Sequence, residues 1–104
     1  MSLLAHAAMA AAVLLFPVII RPIGPDQKPI EAEILIQSSP GRERIVSGKT
    51  TDGEFVLKDI GKFMSVYVVI YPTDKSLRTI YKTYNVRDLM NLKELRVDIP
   101  RRGL

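Results

Sequence analysis

The stretch Thr50-Thr51-Asp52-Gly53-Glu54-Phe55-Val56-Leu57 constrains this chain more than any other. Glycine accepts a positive φ at no steric cost, and Asp-Gly is a preferred pair for a tight turn feeding a strand. After the turn, Phe55 and Leu57 are apolar and two residues apart, the period of a strand that buries one face. The rest of the chain is read around this point as short strands with turns between them.

The strands follow in order. Val18-Ile19-Ile20-Arg21-Pro22-Ile23 is β-branched and apolar, and its Pro22 requires an edge position or a bulge. Gly24 to Pro29 has turn composition. In the next run Ile30, Ala32, Ile34 and Ile36 face one way, with Glu31 and Glu33 on the other side. Arg44 to Thr50 is a strand weakened at Gly48, and Phe63 to Tyr71 is a near-continuous apolar run closed by Pro72. Such a run is expected to be covered on both faces, or on one face with a partner on the other. Leu77 to Tyr84 alternates again. Val86, Leu89 and Met90 have helical spacing over a short turn, and Leu95, Val97 and Ile99 face inward on a last strand. The expected fold is all-β, a seven-stranded antiparallel Greek-key β-sandwich over residues 18–104. An N-terminal apolar helix over residues 1–17 is expected to precede it.

That N-terminal stretch carries only Ser2 and His6 as polar side chains up to Ile20. Its Ala and Leu content favours helix. Ended before Pro17, the helix would be about 22 Å long at ~1.5 Å per residue. A bilayer core needs about 30 Å, so a span requires helix on to Ile20 with Pro17 as a kink. Three readings follow: a membrane anchor, a segment docking into a partner subunit, and a cleaved signal. The signal reading is weakened because no Lys or Arg precedes the apolar run and its Ala-x-Ala patterns come before the most apolar part. The docking residues, for membrane or partner, are Leu3, Leu4, Val13, Leu14, Leu15 and Phe16. Arg21 and Lys28 follow the stretch, which by the positive-inside rule points the domain to the cytoplasm, whereas the fold reading points outward, to the cell surface.

The absence of cysteine excludes a disulfide framework, a thiolate nucleophile and a Cys-type zinc site. The net charge of +4 is dispersed, with Arg101-Arg102 the only adjacent basic pair, which argues against nucleic acid as a partner. Many Ile, Val, Lys, Arg and Glu without Cys or Trp suit a thermophile.

From Val18 to Ile99 the chain resembles the transthyretin-like (prealbumin-like) sandwich of the carboxypeptidase regulatory-like type. The resemblance rests on Asp26-Gln27-Lys28-Pro29 leading into Ile30-Glu31-Ala32-Glu33-Ile34, and on Thr50-Thr51-Asp52-Gly53-Glu54-Phe55-Val56-Leu57. Ile60-Gly61 and Val66-Tyr67-Val68 are similar as well. It implies a two-layer β-sandwich. Two departures narrow it. Adhesin repeats of this kind place a crosslinking lysine in the first strand, where this chain has Arg21, and starch-binding relatives stack sugars on tryptophan, which it lacks.

Candidate sites are few. His6 is the only histidine and lies in the apolar stretch, away from any partner for a Ser-His-Asp triad. Asp26, Glu31, Glu33 and Asp52 could be gathered as calcium ligands, but Asp52 is accounted for by its turn and the glutamates by a solvent face. No catalytic, cofactor-binding or metal-binding residue is therefore assigned, and no cofactor. Tyr67, Tyr71, Tyr81 and Tyr84 fall on two strands and form the candidate interface, since tyrosine is enriched at contact sites. The expected function is that of a non-catalytic structural or interaction protein, tethered to a membrane or a membrane-protein complex through residues 1–20, with protein partners or copies of itself. The alternatives are a filament or pilus subunit that inserts residues 13–23 into a neighbour, and a small-ligand or polysaccharide-binding module.

Overall fold

A computed structural model describes residues 17–103. The expected helix over residues 1–17 falls almost wholly outside them, as do His6 and the docking residues Leu3 to Phe16.

The described residues are mostly strand. In chain order they are β1 (Val18–Ile23), β2 (Ala32–Ser38), β3 (Arg44–Lys49), β4 (Phe55–Leu57), β5 (Ser65–Pro72), β6 (Ile80–Asn85), a short helix α1 (Val86–Leu92) and β7 (Glu94–Asp98). They form a three-stranded sheet in the order β4-β1-β7 and a four-stranded sheet in the order β3-β2-β5-β6. One core joins the layers. Val18, Ile20, Phe55, Leu57, Leu95 and Val97 from the smaller sheet meet Ala32, Ile34, Ile36, Val66, Val68 and Ile70 from the larger. Each fully buried aliphatic side chain contributes about 1.5–3 kcal/mol relative to exposure. A slip of one residue in β2 would expose Ile34 and Ile36 together, so the alternation fixes the register.

The expectation of an antiparallel fold needs one correction. β1 and β7 run parallel, with Ile19 opposite Glu94 and Ile23 opposite Asp98. The other pairings are antiparallel. The return from one direction to the other is made through β6 and α1, which carry the chain from the larger sheet across to the smaller.

Pro22 lies in the central strand of its sheet, yet no ladder bond is lost on its account. β4 pairs with β1 only at Val18, Ile19 and Ile20, so it has ended before Pro22. On the vacated flank the Pro22 carbonyl accepts from Ile30 N–H at 3.1 Å. The short helix expected near residue 86 is real. Asn85 caps it by accepting from Asp88 N–H, Val86 and Leu89 are buried, and Lys93 ends it in the left-handed region at φ 64°.

Candidate functional site

The two sequence motifs meet at one end of the molecule. Asp52 and Gly53 have φ of 53° and 76°, and Thr51 and Glu54 exchange backbone bonds at 2.8 and 3.1 Å. That is a two-residue turn with both central residues at positive φ, the geometry for which Asp-Gly is selected. Unlike an ordinary hairpin, it joins β3 of one sheet to β4 of the other. Just upstream, Thr50 and Ala32 are bound twice: Thr50 N–H donates to the Ala32 carbonyl, and Ala32 N–H donates to the buried Thr50 Oγ1, both at 2.9 Å. Glu31 accepts from Gly53 N–H. Gly53 also packs so tightly on Pro29 that a β-carbon there would lie 2.6 Å from Pro29 Cβ.

These contacts assign the candidate carboxylates. Glu31 is engaged by the turn and is not merely a solvent-facing residue. Asp26 accepts from Lys28 N–H at 3.3 Å within its own loop. Among the described residues no group of acidic or histidine side chains could hold a metal ion.

Arg21 projects from the outer face of the small sheet. Its Nη1 lies 3.0 Å from Glu54 and its Nε 2.9 Å from Glu94, the latter inside ion-pair distance though not aligned as a hydrogen bond. Arg21 is thus an ion-paired guanidinium on a partly exposed surface.

The tyrosines do not form one group. Tyr67 and Tyr81 stack with ring centroids 6.4 Å apart, and Arg42 lies over the Tyr67 ring at 4.5 Å. Tyr71, four residues along β5 from Tyr67, shares that outer face and is exposed. Val69 stands between them, 2% exposed yet outside the core cluster, with Leu35 and Tyr81 opposite it on the neighbouring strands. Tyr84 belongs to the other face: it pairs with buried Val66 and packs on the core. Burial raises its pKa above the ordinary 10.0. The surface is therefore Tyr67, Tyr71 and Tyr81 around Leu35 and Val69. Arg42, from the β2–β3 loop, joins it without any sequence signal.

A second surface lies at the end where the chain enters. Val18 pairs with Leu57, Ile19 with Glu94, and Ile19 N–H donates to the Lys93 carbonyl, so the β4–β5 loop and α1 gather around Pro17. Val86 N–H donates to the Met64 carbonyl, closing the loop onto the helix. Two clefts, of about 570 and 760 Å³, flank Lys62 and Phe63. Met64 is 87% exposed and Leu92 60%. Sequence reasoning leaves both aside, because each stands at the end of an element, where periodicity does not fix the direction of a side chain.

Comparison of the chain with family models, curated proteins and solved structures finds no match. Among the described residues no helix is long and apolar enough to cross a membrane.

Proposed function

We propose that this chain is a non-catalytic β-sandwich module of the transthyretin-like kind. Its apolar residues before Pro17 hold it to a membrane, or to a membrane-associated assembly, at the cell surface. Its work is to present an interaction face, the Tyr67, Tyr71 and Tyr81 surface, to a protein partner.

The observation that carries this reading is the way the chain enters the fold. Pro17 is followed at once by β1, the middle strand of its sheet, which is bonded to β4 on one side and β7 on the other. Pro17 alone lies between residue 16 and the core residue Val18. A hold on the chain directly before Pro17 therefore reaches β1 with only Pro17 between. The same fact bears on the filament alternative. Residues 18–23 are committed to their own sheet, so a strand donated to a neighbour would have to come from residues before Pro17.

The test is flotation of the full chain with vesicles, followed by carbonate extraction of the membrane fraction. The reading expects the chain to float and to resist extraction. Recovery as a free monomer with residues 1–16 intact refutes it.

A further inference from the structure

We infer that the entry end of the molecule is a lipid-facing foot, which seats on an anionic bilayer surface and stands the module upright on the membrane. The inference rests on the membrane tether proposed above but draws on different residues.

Two of the most exposed large apolar side chains among the described residues, Met64 and Leu92, are both at this end. They stand on separate elements, the β4–β5 loop and the last turn of α1, at the end where the chain enters β1. Neither is part of the core cluster. An exposed apolar side chain is ordinary singly, but here two of them share the end from which the apolar stretch departs. Interfacial binding grows with buried apolar area and with attraction between basic side chains and anionic lipid, so a second apolar and basic contact would add to the tether.

Charge selects the lipid. Lys58, Lys62 and Arg87 are exposed around the same loop and helix, and Lys62 Nζ lies 5.3 Å from the Phe63 ring centroid, its charge held beside an apolar surface. Asp59 and Asp88 are also present, so the end is mixed with a basic excess rather than uniformly positive. Basic side chains near an anionic leaflet attract it within about a Debye length, roughly 8–10 Å at ordinary salt. With the end seated, the Asp52-Gly53 turn and the loop at Lys75 lie at the opposite end of the strands, away from the membrane. The tyrosine face then runs along the membrane normal, open to a partner from the side.

The chain has no cysteine, so single labels are unambiguous. Met64→Cys, Leu92→Cys and Lys75→Cys variants of the full chain carry an environment-sensitive fluorophore. Each is reconstituted into vesicles of phosphatidylcholine alone or with phosphatidylglycerol, with a nitroxide quencher on the upper acyl chain. All three positions are exposed, so labelling leaves the core intact. The foot predicts severalfold stronger quenching at 64 and 92 than at 75, greater with the anionic lipid and reduced by high salt. A chain that floats with the vesicles but is quenched equally at the three positions, or at none, overturns the foot while the tether stands. Labels at 64 and 92 that become shielded without lipid quenching overturn it in favour of a second copy of the chain as the occupant. A chain that fails to float removes the tether and the foot together.

Discussion

Gly53 is the position at which one added carbon should damage this fold most for its size. Gly53→Ala has two separable effects. The residue sits at φ 76°, where a side chain costs about 1–2 kcal/mol. The new Cβ would also lie 2.6 Å from Pro29 Cβ, about 1 Å inside carbon–carbon contact distance. Pro29 cannot simply withdraw, because Ile30 next to it is bonded to Pro22 and Ala32 to Thr50. The turn must move instead, stretching the bond from Gly53 N–H to the Glu31 carboxylate. A hydrogen bond to a charged group is worth about 1.5–3 kcal/mol. Together the substitution should cost about 2.5–5 kcal/mol, a large part of the ~5–15 kcal/mol that holds a small domain.

Urea denaturation followed by circular dichroism measures the total, and a double-mutant cycle isolates the contact. Pro29→Gly removes the opposing Cβ. If the collision matters, Gly53→Ala should be less harmful in the Pro29→Gly background by about 1 kcal/mol or more, within the usual range for touching residues. The cycle cancels the separate backbone effects of the two substitutions. A coupling below ~0.3 kcal/mol, or a Gly53→Ala cost below ~0.5 kcal/mol, would refute the reasoning.

Thr50→Val keeps the shape of a buried residue but leaves Ala32 N–H without an acceptor; a loss of about 1–3 kcal/mol is expected, with faster hydrogen exchange at the Ala32 amide. Arg21→Gln removes two partly exposed ion pairs that tie β1 to residues beside β4 and in β7, so the unfolding midpoint should fall by no more than the equivalent of ~1 kcal/mol, less at high salt. In an alkaline titration read by tyrosinate absorbance, Tyr84 should ionise above the ordinary tyrosine value, and Tyr84→Phe should delete that step. Its folded pKa is raised above the unfolded 10.0, so the stabilisation is whole below pH ~10 and is lost as pH climbs through the folded value.

The local parts of the fold are largely legible in the sequence, and the long-range parts are not. Alternation at Ile30, Ala32, Ile34 and Ile36 marks the inward face of β2, and Asp52-Gly53 marks its turn, because each is decided within a few residues. Residues 18–23 read as a strand, but the parallel partner β7 lies more than seventy positions away, and nothing in either run names the other. The tyrosines teach the opposite lesson. Tyr67 and Tyr71 are four apart and share a face, whereas Tyr81 and Tyr84 are three apart and must oppose one another in a strand. Odd spacing alone separates Tyr84 from the others. Glu31 reads as wholly solvent-facing because its partner, a backbone N–H in a turn twenty-two positions on, has no side chain to announce it.

The residues with the strongest sequence signal are spent on holding the two sheets in place at one end of the molecule. Thr50, Gly53, Pro29 and Glu31 are engaged there with the backbone and with one another and leave little for a partner to grip. The exposed apolar and aromatic surface is made of other residues: Tyr71 and Tyr81 on the larger sheet, Met64 and Leu92 at the entry end. On the proposed reading, stability and interaction are carried by different side chains, and substitutions should sort accordingly. Tyr81 is 59% exposed, so Tyr81→Ser should change stability by no more than about 1 kcal/mol, the loss of its ring contact with Tyr67. The same change should weaken binding of a partner that uses the tyrosine face by tenfold or more, because a tyrosine near the centre of an interface commonly carries upwards of ~2 kcal/mol. Co-purification of native partners with the wild-type and Tyr81→Ser chains, paired with their urea midpoints, reads both quantities on one protein. Equal partner recovery at equal stability would place the interaction elsewhere on the molecule.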